Sequence, residues 1–108
     1  MATLFTERVR ELIKQIPTGK VTTYGILAAG AGNASGARQV ARILHSSSAS
    51  YNLPWHRVVN RDGKISLLPG RGYEIQKDLL LTEGVLFNVN DTIDFQHFLW
   101  LPGENGKP

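Results

Sequence analysis

The sequence predicts a mainly α-helical domain with a small β-hairpin, organised around a helix-turn-helix. Three observations predict it. Apolar residues recur at helical spacing in residues 5–16 and again in 37–44. The second of these stretches follows another short helical segment across the tight connection "GAGNAS". Further along, the short apolar runs "WHRVV" and "KISLL" flank an "NRDG" turn.

Each element has a local reason. Phe5, Val9, Leu12, Ile13 and Ile16 form one apolar face, with Glu7, Arg8, Arg10, Glu11 and Lys14 between them. Pro17 and Gly19 end that helix. Thr22 or Thr23 can cap a short helix through "YGILAAG", which Gly30 and Gly32 break. Ser35 is the expected cap of the next helix, whose apolar stripe is Ala37, Val40, Ala41 and Leu44. "HSSSASYN" is small and polar, and reads as a loop. The hairpin follows, then the loop "PGRG", then a helix through "YEIQKDLLLTEG" closed by Gly84. "VLFNV" reads as a last strand and "DFQHFLW" as an aromatic segment folded onto the body. The chain reads as one domain over residues 1–108, with 101–108 a frayed tail.

Composition narrows the chemistry. The 108 residues include no cysteine, which excludes disulfides, thiolate metal sites and thiol catalysis. The same absence favours the cytosol. The N-terminal residues carry charges from Glu7 onward, so neither a signal peptide nor a membrane span is expected. Twelve basic residues against nine acidic ones give a net charge of +3, which nucleic-acid binding and an ordinary basic domain both accommodate.

The three histidines, His45, His56 and His97, show no metal-binding spacing, and no metal or other cofactor is expected. No GxSxG elbow is present, and "AGAGNASG" lacks the pattern of a phosphate loop. The densest constellation is "LPWHRVVN", where Pro54, Trp55, His56 and Arg57 are consecutive. Trp55 cannot be a nucleophile, because its indole nitrogen is only a donor. It can be a flat apolar wall.

Taken together, "IPTGKVTTYGILAAGAG", "GARQVARIL", "LPWHRVVNRDGKIS" and "KDLLLTEGV" follow one another as in the DNA-binding domain of the O6-alkylguanine-DNA alkyltransferases. The resemblance runs from about residue 5 to about residue 87. In those enzymes the central motif reads Pro-Cys-His-Arg-Val, and the cysteine accepts the alkyl group. Trp55 stands at the cysteine position, so the chain resembles the alkyltransferase-like proteins, the non-enzymatic relatives.

The resemblance implies a winged-helix-like helix-turn-helix of the alkyltransferase type, docked in the minor groove of duplex DNA. It implies that Tyr24 crowds the phosphate beside the target and helps rotate the nucleotide outward. Arg38 fills the space left in the stack, and small Gly36, Ala37 and Ala41 permit close approach to the groove. Thr23 and Gln39 are expected backbone contacts. Trp55, Val58 and Val59 are expected pocket walls, with Tyr24 beside them and His56 orienting the pocket together with Glu83. Ser47 falls where the family has a hinge asparagine, and its shorter side chain is expected to make a weaker hinge. Leu68, Arg71 and Tyr73 all remain open as the residue of the 67–74 loop that reaches the lesion.

The implied partners are double-stranded DNA containing O6-alkylguanine and, after binding, nucleotide excision repair proteins. A membrane partner is not expected. No apolar stripe demands a dimer, so a monomer is expected, in the cytoplasm and on the nucleoid if the source is bacterial. Two other functions stay open on the residues: a sequence-specific helix-turn-helix transcription regulator, and an active alkyl-lesion enzyme that uses His56 or a loop serine.

Overall fold

The computed structural model describes residues 3–103. Helix α1 spans Leu4–Gln15, capped by Thr3, whose hydroxyl accepts the Thr6 amide. Its periodic face buries Val9 and Ile13, and the chain turns extended at Ile16, ahead of Pro17. Strand β1, Thr22–Thr23, leads directly into α2, Tyr24–Gly30, and the Thr23 hydroxyl caps α2 by accepting the Ile26 amide at 3.1 Å. After the turn at 31–36 comes α3, Ala37–Ser47.

This turn is tight because of Gly36. A side chain there would meet the Phe5 ring at 2.9 Å and the Asn33 carbonyl at 3.2 Å. Gly36 itself is the N-cap of α3, displacing the expected Ser35. Ser35 instead donates its hydroxyl to Asn33 Oδ1 at 2.9 Å within the turn.

Helix α3 also runs past its expected end. His45 to Ser47 are helical, because Ile43, Leu44 and Ser47 all bury against the body and carry the helix one more turn.

Residues 55–57 form a 3-10 turn and not a strand, followed by β2, Val58–Val59. The expected hairpin does not form. β2 pairs in parallel with β1, Thr22 opposite Val58 and Thr23 opposite Val59. The "NRDG" turn is present, with the Asn60 amide donating to the Lys64 carbonyl at 3.0 Å. No strand follows it, because the Val58 and His56 carbonyls already accept from the Gln76 side-chain amide, at 3.0 and 3.1 Å. Gln76 belongs to α4, Tyr73–Thr82, which ends at Gly84 as expected.

The expected strand at 85–89 reduces to a single bridge between Phe87 and Ile93. The aromatic segment does fold onto the body. It contains the short α5, Phe95–Phe98, and then Trp100, fully buried with its amide donating to the Val21 carbonyl at 2.7 Å. Pro102 lies close against Gly30, while residues 104–108 of the expected frayed tail lie outside the described residues.

The strand pair divides the core. Val58 belongs to the larger cluster with Val9, Ile13, Leu27, Val40 and Trp100. Val59, one residue on and so on the opposite face, joins Val21, Leu80, Val85 and Ile93 in a second cluster. The architecture is thus mainly α with a small two-stranded sheet, and the sheet anchors the turn that carries Trp55.

Candidate nucleic-acid interface

The Trp55–Arg57 turn is set by its neighbours. Pro54 restricts the backbone before it, and the Arg57 amide donates to the Pro54 carbonyl at 3.1 Å. The segment 48–53 that delivers it is held by backbone bonds, from Tyr51 to Ser47 at 3.0 Å and from Leu53 to Ser48 at 2.9 Å. The Arg10 guanidinium lies 4.1 Å from the Tyr51 ring centre and pins this segment to α1. Ser47, the expected hinge residue, is buried in the last turn of α3.

One side of the turn opens on a predominantly apolar cleft of about 600 Å³. Trp55 and Val58 line it, with Ala41, Leu44 and His45 of α3 beside them. Tyr24, Ser48 and Ser66 also face it, and Leu67, Arg71, Gly72, Ile75 and Gln76 complete the lining. Burial pushes the Tyr24 phenol pKa up, partly offset by its hydrogen bond with Ser66, so Tyr24 is a neutral hydroxyl at physiological pH.

Helix α3 joins this cleft to the outer surface. Arg38 and Gln39 are exposed in its first turn, which contains no acidic residue. Arg38, Ala41 and His45 follow at helical spacing, so the cation sits one turn from the cleft on the same face.

The other side of the turn is a closed ionic knot. His56 Nε2 lies 2.7 Å from Glu83 Oε2. Arg57 Nη2 donates to the same oxygen at 2.8 Å, and Arg57 Nε and the Gly19 amide each donate to Oε1 at 3.0 Å. Arg57 further donates to the Ile16 carbonyl at 2.9 Å and to Thr18 Oγ1 at 3.0 Å. Burial by itself raises the Glu83 pKa. The hydrogen bonds from Arg57, Gly19 and His56 outweigh that effect and hold it at about 2.

The structure brings together Tyr24, Trp55 and Val58 at the cleft. It separates three other expected site residues from it. Val59 faces the second core cluster. His56 turns to Glu83 on the far side. Thr23 is buried, with its hydroxyl committed to capping α2. Gly36 is buried against Phe5 while Ala37 is half-buried beside it.

Among the three loop candidates, Arg71 reaches the cleft. Leu68 points away, 65% exposed, and Tyr73 bonds Asp91 instead. Sequence reasoning missed Leu44, His45, Ser48, Ser66, Leu67, Gly72, Ile75 and Gln76 as cleft lining. Gln76 alone carried a signal: it lies one turn before buried Leu80, so a polar residue shares the apolar face of α4.

The chain is similar to known proteins. Residues 4–85 match the family model of the 6-O-methylguanine DNA methyltransferase DNA-binding domain. The DNA base-flipping protein of Escherichia coli K12 is 45% identical over 89% of this chain and 74% of that protein. Alkyltransferase-like protein 1 of Schizosaccharomyces pombe is 42% identical over 96% of this chain and 95% of that protein. The crystal structure of the S. pombe protein in complex with damaged DNA containing O6-carboxymethylguanine superposes with a TM-score of 0.79 at 34% identity, covering 94% of this chain and 100% of that one. With Trp55 where the transferases carry their acceptor cysteine, the chain belongs to the 6-O-methylguanine DNA methyltransferase DNA-binding family as an alkyltransferase-like member.

Proposed function

We propose that the chain binds O6-alkylguanine in duplex DNA, turns the base out into the Trp55 cleft, and holds it without transferring the alkyl group. The observation that carries this is Trp55 itself. It stands at the acceptor position, lines an apolar cleft, and occurs in a chain with no cysteine. The base-flipping name of the E. coli relative and the damaged DNA bound by the S. pombe relative support the reading.

In this reading α3 enters the minor groove with Arg38 and Gln39 leading. Arg38 occupies the gap in the stack, and Tyr24 crowds the phosphate of the departing nucleotide. Turning a base out costs a few kcal/mol, less for a lesion that pairs poorly. Stacking on an aromatic ring returns ~1–3 kcal/mol. Apolar contact with the alkyl group adds ~25 cal/mol per Å². Recognition therefore needs no covalent step. The held, unrepaired complex then serves as the flag for nucleotide excision repair proteins.

The test is a duplex whose O6-methylguanine carries a labelled methyl group. The expected result is lesion-dependent gel-shift binding, with all label remaining on the DNA base after prolonged incubation. Label on the protein, or recovery of unmodified guanine, overturns the non-enzymatic reading. Equal binding to damaged and undamaged duplexes overturns lesion recognition.

A further inference from the structure

Loop 66–72 carries Leu67 and Arg71 to the cleft and ends at Tyr73, the first residue of α4. The loop is closed on itself. The Leu68 carbonyl accepts the Arg71 and Tyr73 amides at 2.9 and 3.4 Å, and the Gly70 amide donates to Glu74 Oε1 at 2.9 Å. Leu67 lies so close to Gly72 that a side chain there would meet its Cδ1 at 2.8 Å. These contacts make the loop one piece with the first turn of α4. That turn begins after Gly72, with no side-chain cap to fasten it.

Tyr73 supplies a fastening outside the cleft. Its hydroxyl donates to Asp91 Oδ2. Lys77, one turn further along α4, donates to Asp91 Oδ1 at 2.7 Å and lies 5.1 Å from the Phe87 ring centre. Asp91 stands on a well-tied turn. Its amide donates to the Asn88 carbonyl at 2.9 Å, and Asn88 Oδ1 accepts the Asn90 and Thr92 amides at 2.9 and 3.1 Å. Buried Ile93 then donates its amide to the Gly63 carbonyl at 2.8 Å.

Asp91 also has left-handed backbone, with φ at 61°, the region that favours glycine. Glycine would form this turn with less strain, so what the aspartate adds is its carboxylate. Each carboxylate oxygen takes one donor from α4.

We infer that Asp91, Tyr73 and Lys77 form a positioning cluster that fastens the first turn of α4 and thereby holds loop 66–72 in place for DNA. What the loop is held for rests on the base-flipping reading above. Binding loops open at little cost in free energy. Without the fastening, the loop has to be ordered when DNA arrives, and that ordering is subtracted from lesion affinity.

The test is Asp91→Gly, which keeps the left-handed turn and removes the carboxylate. Amide exchange followed by NMR, without DNA, should become about tenfold faster at Gly70, Arg71 and Tyr73 and stay unchanged in α1. The variant loses a negative charge, so binding is read as a ratio of affinities, O6-methylguanine duplex over undamaged duplex. That ratio should fall by about tenfold. Tyr73→Phe preserves the charge and should move both readouts the same way. Asp91→Asn keeps one acceptor oxygen and tolerates the left-handed backbone, so it should restore part of both. If Asp91→Gly does not fold, as judged by circular dichroism, Tyr73→Phe is read in its place. Wild-type exchange at the three amides, an acceleration shared equally by α1, or an unchanged ratio in a variant whose loop exchanges faster overturns the assignment. Failure of the wild-type chain to prefer O6-methylguanine over plain guanine is a different result. It overturns the base-flipping reading, while the exchange measurement still decides whether the cluster fastens the loop.

Discussion

The two sides of the Trp55–Arg57 turn are built on opposite principles. On the Glu83 side every charge is matched. One carboxylate takes hydrogen bonds from Arg57, His56 and the Gly19 amide, and Arg57 also donates to the Ile16 carbonyl and the Thr18 hydroxyl. On the cleft side the lining is predominantly apolar and open. The side that looks catalytic in sequence is a brace. The side that looks like core lines the open cleft. A catalytic histidine needs a reacting partner within reach, and here His56 faces a carboxylate while Trp55 takes the cleft.

The comparison breaks most visibly if the brace is cut. Arg57→Ala leaves Glu83, whose side chain is 13% exposed, with its strongest counter-charge gone. Removing one partner of such a pair costs ~4 kcal/mol. The melting temperature should fall by 10 °C or more, on the order of 4 °C per kcal/mol for a domain of this size. Thermal unfolding followed by circular dichroism measures it. A shift of only 1 or 2 °C makes the knot a surface decoration and removes the contrast between the two sides.

Acid sharpens the same point. Glu83 ionises at about 2 in the folded chain against an ordinary value of 4.5. An unfolded chain therefore takes up this proton first as pH falls, and the folded form loses its advantage. The contribution is complete above pH 4.5 and disappears as pH drops toward 2. It is worth about 3 kcal/mol at most. Denaturant unfolding of wild type and Glu83→Gln should differ most at pH 6 and converge below pH 3. A difference that stays constant across that range would mean that Glu83 acts by shape and not by charge.

How much of this was legible follows from where the information sits. The periodic faces of α1 and α3 are local, and both helices lie over their periodic stretches, with α3 running one turn further. The β1–β2 pairing is not local: Thr22 meets Val58 across the whole helix-turn-helix, and no alternation in either dipeptide announces it. The apparent hairpin failed for a related reason, since Gln76 reaches from α4 to take the carbonyls that a second strand would need.

Tyr24 and Trp55 were named through the family resemblance, and both line the cleft. Arg71 could not be chosen over Leu68 and Tyr73, because loop 66–72 has no period from which to read direction. Val59 was misplaced although its period was readable: beside an inward Val58, the next strand residue must face the other way. Neither the Arg57 brace nor the Gln76 bonds to the His56 and Val58 carbonyls show in the sequence, because both depend on contacts between distant segments.

The smallest of these effects lies on the cleft side. Trp55 is half-buried and packs against the larger core cluster, so its removal touches both folding and binding. In the proposed function its contribution to binding is the stacking surface, worth ~1–3 kcal/mol per base. Trp55→Ala should therefore weaken binding to an O6-methylguanine duplex about thirtyfold, for a loss near 2 kcal/mol. Trp55→Phe keeps a ring in the same wall and should recover most of that affinity. Fluorescence anisotropy with a labelled duplex gives both numbers, and a parallel melt gives the cost to folding. Lost stability with unchanged lesion affinity would return Trp55 to the core, and the apolar side of the turn would be no more a binding surface than the ionic side.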